Sequence, residues 1–234
     1  MNRKTILLTT FATLCVLCPQ ISNAAKVLEY LFKDPSATRA TDTSGKNLHG
    51  VFTGSDIHID FSLSGHGYGA AMNGVDDFIN VGDANPLDVK RYTLMAWIKY
   101  SPTGERNAEI MEKAAAYWLN IRMDTRMVRA GGFFGKTCKW IFTDSPVTVP
   151  ENTWTHVAST YNGTRLAIYV NGQLAKTAKA PDGACVNKNP LTVGAKHVPS
   201  NDVTANFVNG TMDDVRVFNS ALTAAQIQEF MLRP

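Results

Sequence analysis

Trp118, Asn120 and Arg122 alternate along one short run, so on an extended chain they share a face. An aromatic plane, an amide and a guanidinium at that spacing are groups that grip a sugar. The ring covers C–H faces, and the planar donors meet hydroxyls or a carboxylate. Phe133, Phe134 and Trp140 extend the same candidate ligand surface. The plainer reading packs Trp118 under a loop and leaves Arg122 as a solvated strand residue.

A second set of groups is acidic. In the run Met212 to Phe218, Asp213 shares its parity with Val215 and Val217, which puts a carboxylate on the apolar row of a strand. An ionised acid there must be hydrogen-bonded, paired with a cation or bound to a metal. Asp42, in TDTSGKN, and Asp34 before it lie in a polar stretch whose carboxylates and carbonyls suit a hard cation such as calcium. Their spacing is unlike that of the helix–loop–helix calcium loop. The same residues also make a compact turn in which side chains cap backbone amides.

Catalytic constellations are harder to assemble. Glycoside hydrolysis usually takes two carboxylates flanking the bond, and Glu109 and Glu112 stand three apart with no acid between them. A lyase set of Tyr117, Arg122 and His156 breaks on parity, since Tyr117 and Arg122 face opposite sides, and His156 reads as a structural histidine in a strand. No catalytic residue is assigned, and the chain is read as a non-enzyme.

The elements that must position these groups begin after residue 24. Arg3 and Lys4 precede an apolar run from Ile6 to Leu17, and Ser22-Asn23-Ala24 is a small-residue cleavage site. This is the pattern of a secretory signal, so residues 1–24 are expected to be removed and the mature chain, 25–234, to be secreted or periplasmic. No stretch is long enough to suggest a membrane span. Cys138 and Cys185 are then the two remaining cysteines, and in an oxidising compartment a disulfide is the simplest reading, two free buried thiols being the rival. The mature charge, 21 basic against 20 acidic residues, argues against nucleic acid as a partner.

Short alternating runs recur at regular spacing: Val27–Phe32, residues 56–61, Thr93–Lys99, a hairpin about Asp124-Thr125, Trp154–Ala158 and Arg165–Val170. Asn-Gly pairs at 73, 162, 171 and 209 read as turns, because both positions tolerate positive φ. Thr223 with Gln226 predicts a capping box opening one short terminal helix. The pattern is that of an all-β, two-sheet antiparallel sandwich.

Taken in order, TDTSGKNLHG, MNGVDDFINVGD, YTLMAWIKY, NTWTHVASTYNGTRLAIYVNGQLA, NPLTVGA and NGTMDDVRVFNSALTAAQIQEF resemble the laminin-G-like jelly-roll domain across nearly the whole mature chain. Such domains are similar to concanavalin A-like lectins and glucanases. The resemblance implies a jelly-roll sandwich and a structural calcium held by Asp42 and Asp213, with Asp34 a looser third ligand. Members bind sugars or proteins, so a polysaccharide or glycan ligand is expected, with a protein partner as the alternative. Related glucanases carry their acids as E-x-D-x-x-E, a spacing absent here.

Overall fold

The computed structural model describes residues 24–62, 67–198 and 203–233; residues 1–23 of the expected signal lie outside them. Two eight-stranded antiparallel sheets stack face to face. In the first the order is Gln173–Lys179, Arg165–Val170, Thr155–Tyr161, Tyr92–Ser101, Asn209–Phe218, Gly67–Asn73, His58–Ser62, with Lys26–Tyr30 also paired to Asn209–Phe218. In the second it is Lys139–Thr148, Met127–Phe134, Tyr117–Arg122, Asn107–Lys113, Leu191–Val193, Phe78–Gly82, Gly50–Thr53, Arg39–Ala40. A separate hairpin pairs Lys196–Val198 with Val203–Ala205. The all-β jelly-roll sandwich and its terminal helix are as expected.

Alternation decides what the sheets bury. Leu94, Ala96 and Ile98 of one sheet meet Tyr117, Leu119, Ile121, Val128 and Ala130 of the other in the main core. Met95, on the opposite face of its strand, joins Ala158, Tyr169 and Phe218 in a second cluster under the helix Ala224–Met231, which contributes Ile227. Thr223 accepts from the Gln226 amide and the Gln226 side chain accepts from the Thr223 amide, the predicted capping box, of the kind that contributes about 1 kcal/mol. Trp97 Nε1 donates to the Met231 carbonyl at 3.3 Å, closing the far end. The helix thus covers the part of the first sheet's outer face around Met95, Ala158, Tyr169 and Phe218.

The turn at Asn171-Gly172 is as predicted, with φ of 48° and 72° between Val170 and Gln173. Asn209-Gly210 is not a turn. Both residues open the strand Asn209–Phe218, and Gly210, at φ 145°, lies so close to its neighbour that a Cβ would sit 2.1 Å from the Lys99 carbonyl oxygen.

The register against Tyr92–Ser101 then shifts between Asp213 and Arg216, with Asp214 at φ 53°. This bulge breaks parity, so Met212 shares the main core with Val215 and Val217. Beyond it Arg216 is buried, donating to Glu29 Oε1 and Asp214 Oδ1 at 3.0 Å each and to the carbonyls of Phe230 and Arg233. One guanidinium therefore joins the first strand, the last strand and the helix C-terminus.

Cys138 and Cys185 form a disulfide, closing a loop with a separation of 47 residues. Loss of that tether, by Cys138→Ser or by reduction, is expected to lower unfolding free energy by roughly 2–4 kcal/mol. Urea midpoints with and without reductant measure it, and coincident midpoints would show that the bridge contributes nothing.

Candidate functional site

On the outer face of the second sheet, side chains line up in rows across four strands. One row runs Glu112, Trp118, Gly131, Phe142, and the next Glu109, Asn120, Arg129, Asp144. Glu109 and Glu112 share this face because the strand Asn107–Lys113 is bulged between Glu109 and Met111. Ile110 and Met111 both enter the core, and the acids on either side both point outward. At the bulge, the Glu109 amide donates to Asn206 and the Ile110 carbonyl accepts from Gly194, both outside the strand's own ladder.

Gly131 makes room in its row. A Cβ there would lie 2.2 Å from Trp118 Cζ2, so the indole lies across the missing side chain. Trp118 then packs against Phe133 and Trp140, with ring centroids 6.2 and 6.3 Å away, and Trp140 continues to Phe142 at 4.9 Å. Trp118 is only 7% exposed, whereas Trp140 is 56% exposed. The accessible platform is therefore Trp140, with Trp118 as its support.

Arg129 lies over Phe142 at 4.6 Å and holds Asp144 through two bonds of 2.6 and 2.9 Å. That hydrogen bonding keeps the Asp144 carboxyl below its ordinary range.

Trp118, Asn120, Phe133 and Trp140 line a cleft of about 480 Å³ together with Glu109, Glu112, Asn107, Arg129 and Lys196. Two other expected residues do not belong to it. Phe134 is fully buried with its ring 4.4 Å from that of Tyr161, because strand neighbours alternate and Phe133 takes the outward place. Arg122 lies on the outward row but is committed to Asp124 and Asp144, and it does not line the cleft. A larger groove of about 690 Å³, beside Lys90, Arg91 and Asp182, has no aromatic lining.

The floor of the cleft is short of hydrogen-bond donors. Asn120 Nδ2 is shared between the two Glu109 oxygens, at 3.3 and 3.1 Å. Asn107 Oδ1, Glu112 Oε2 and Asn120 Oδ1 are buried acceptors without a hydrogen-bond partner among the described residues. Burial, then the neighbouring Glu112, push Glu109 well above the ordinary carboxylate range. Burial also raises Glu112, to about 7, against the opposing charge of Lys196. The sequence weighs Glu109 and Glu112 only as a catalytic pair, since a spacing of three on a regular strand separates the faces, and does not single out Phe142.

The three expected calcium ligands do not fit one ion. Each Asp42 oxygen already accepts two hydrogen bonds, from the Glu29 and Ser44 amides and from the Ser44 hydroxyl and Leu48 amide, at 2.9–3.0 Å. Asp34 is exposed and turned to Ser36. Asp213 is buried, its carboxyl pushed up to about 8 by desolvation and by Asp214, and its Oδ1 accepts from the Asp214 amide. Among the described residues, no three His, Cys, Asp or Glu side chains are grouped to hold a metal.

Two measurements follow from these acids. Asp213 binds its proton more tightly folded than unfolded, so its contribution to stability is greatest below the ordinary value of 3.8 and falls as pH rises towards 8. Glu109 and Glu112 act in the same direction. Urea midpoints should decline from pH 5 to 8, and Asp213→Asn should flatten the decline; a midpoint that rises through this window would contradict the assignment. Calcium at pH 7 is expected to leave the melting temperature unchanged. A rise of roughly 5 °C or more, absent from Asp213→Asn, would restore a calcium site there.

A family model of the laminin G type, described as the concanavalin A-like lectin/glucanases superfamily, matches residues 73–228. No curated protein matches the chain. Among solved structures, the binding domain of Paraclostridial Mosquitocidal Protein 1 superposes with a TM-score of 0.67 at 13% identity, over 88% of this chain and 51% of that one. Domain 4 of AbnA, a GH43 extracellular arabinanase from Geobacillus stearothermophilus, in complex with arabinotriose, gives 0.62 at 18% identity over 88% and 98%. The binding domain of Botulinum Neurotoxin DC in complex with SialylT gives 0.64 at 14% over 88% and 51%. The chain spans about half the length of the toxin domains, and identities this low show a common fold alone. Among the described residues no helix is long and apolar enough to cross a membrane.

Proposed function

The chain belongs to the concanavalin A-like lectin/glucanase superfamily, and from that footing we propose that it is an exported, lectin-like module that binds a glycan on the outer face of its second sheet. The observation that carries this reading is the pairing of an exposed aromatic platform, Trp140 and Phe142, with a cleft whose buried floor presents unpartnered acceptor oxygens. A sugar matches both. Its C–H face covers an indole, and its hydroxyls donate to Asn107, Glu112 and Asn120, relieving acceptors that are costly to leave unmade.

Neighbouring folds support the class of ligand. The arabinanase domain was solved with arabinotriose and one toxin domain with SialylT. Export is supported by the disulfide, since such bridges persist in oxidising compartments.

The reading is tested on a glycan and polysaccharide array with the chain from Ala25, beside Trp140→Ala. Trp140 is largely exposed, so its loss should leave the melting temperature intact and weaken binding roughly five- to tenfold. An array blank for a folded protein would shift the reading to a protein partner on the same aromatic surface.

A further inference from the structure

The two acids of the cleft are more than acceptors for hydroxyls. Glu109 and Glu112 lie on one face of one bulged strand, 2% and 6% exposed, in an aromatic cleft. Buried neighbouring carboxyls are costly to ionise unless a cation lies between or beside them. Among the described residues, Arg129, Arg106 and Lys196 do not take that place. Arg129 is committed to Asp144, and Arg106 is exposed at the rim. Lys196 is near enough to be felt by both acids, yet no ion pair within 4 Å joins it to either among the described residues. Glu112 Oε2 and Asn120 Oδ1, both on side chains more than nine-tenths buried, have no donor among the described residues at the cleft floor.

We infer that the glycan carries a free amine, as a 2-amino-2-deoxy sugar, whose ammonium group seats against Glu109 and Glu112 beneath Trp140. This rests on the glycan-binding reading and names its ligand class. A hydroxyl offers one donor and no charge. An ammonium offers three donors, meets Glu112 Oε2 and Asn120 Oδ1 together, and offsets both carboxyls. Trp118, Trp140 and Phe133 line the same cleft and give the sugar ring its apolar contact. An N-acetyl group at the same carbon removes the charge and leaves one donor, so the acetylated sugar satisfies the floor poorly.

The test holds the sugar fixed and changes one substituent. Calorimetric titrations compare hexasaccharides in the gluco series with hydroxyl, acetamido or amino groups at carbon 2, and the same three substituents in the galacto series. The expected result is an amine preference of about tenfold or more over both neutral partners in at least one series. That preference should collapse in Glu112→Gln, with a melting temperature no lower than the parent's showing that the variant is folded. Equal or better binding of the hydroxyl or acetamido forms overturns the amine and leaves the glycan reading standing. Failure of all six to bind also overturns the amine, and the array alone then decides whether a glycan binds. A preference that survives both Glu112→Gln and Glu109→Gln overturns the assigned seat.

Discussion

One residue too many in a strand governs this molecule twice. A β-ladder fixes side chains to alternate faces, and only an unpaired residue lets two positions of unlike parity point the same way. In Asn107–Lys113 the bulge sends Ile110 and Met111 inward together and leaves Glu109 and Glu112 outward together. In Asn209–Phe218 it lets Met212 share a core with Val215 and Val217, and it places Asp214 where Arg216 reaches it. The first bulge makes the site, and the second builds the knot that holds the chain's two ends.

The two acidic clusters show opposite uses of burial. Arg216 pairs with Glu29 Oε1 and Asp214 Oδ1 and reaches two carbonyls at the helix end, and breaking so buried a network typically costs 3–5 kcal/mol. Glu29 is held below its ordinary range by bonds from Lys26, Arg216 and Thr43 that outweigh its desolvation. Among the described residues Glu109 accepts only the shared Asn120 amide, and for both acids desolvation outweighs that bond and the charge of Lys196, so they are pushed the other way. Stability is given up at the cleft and recovered at the termini. That asymmetry separates a site from scaffolding, because perturbed acids concentrate where a ligand is to complete them.

Much of the architecture is legible in short patterns. Alternation placed Leu119 and Ile121 inward and Trp118 and Asn120 outward, the Asn171-Gly172 pair made its turn, and Thr223 with Gln226 capped the helix. The failures share one cause: a contact made far away in sequence. Glu109 turns because its amide meets Asn206, Gly210 is a close approach to Lys99 instead of a turn, and Arg122 is taken up by Asp144 of another strand. Phe134 is different. Parity against Phe133 already excluded it, and composition was allowed to outweigh alternation. Trp118 was read correctly by face, but its burial depended on Gly131 lying across the ladder.

The Cys138–Cys185 bridge lies at the end of the hairpin that carries the aromatics. Trp140 is two residues beyond Cys138, while the Cys185 amide donates to the Phe133 carbonyl and Ala184 bridges Phe134. Both edges of the platform are therefore pinned to one covalent point before any ligand arrives. A surface frozen during folding owes little further conformational entropy on association, so a glycan held on this face as proposed would draw on rigidity already paid for in the oxidised chain.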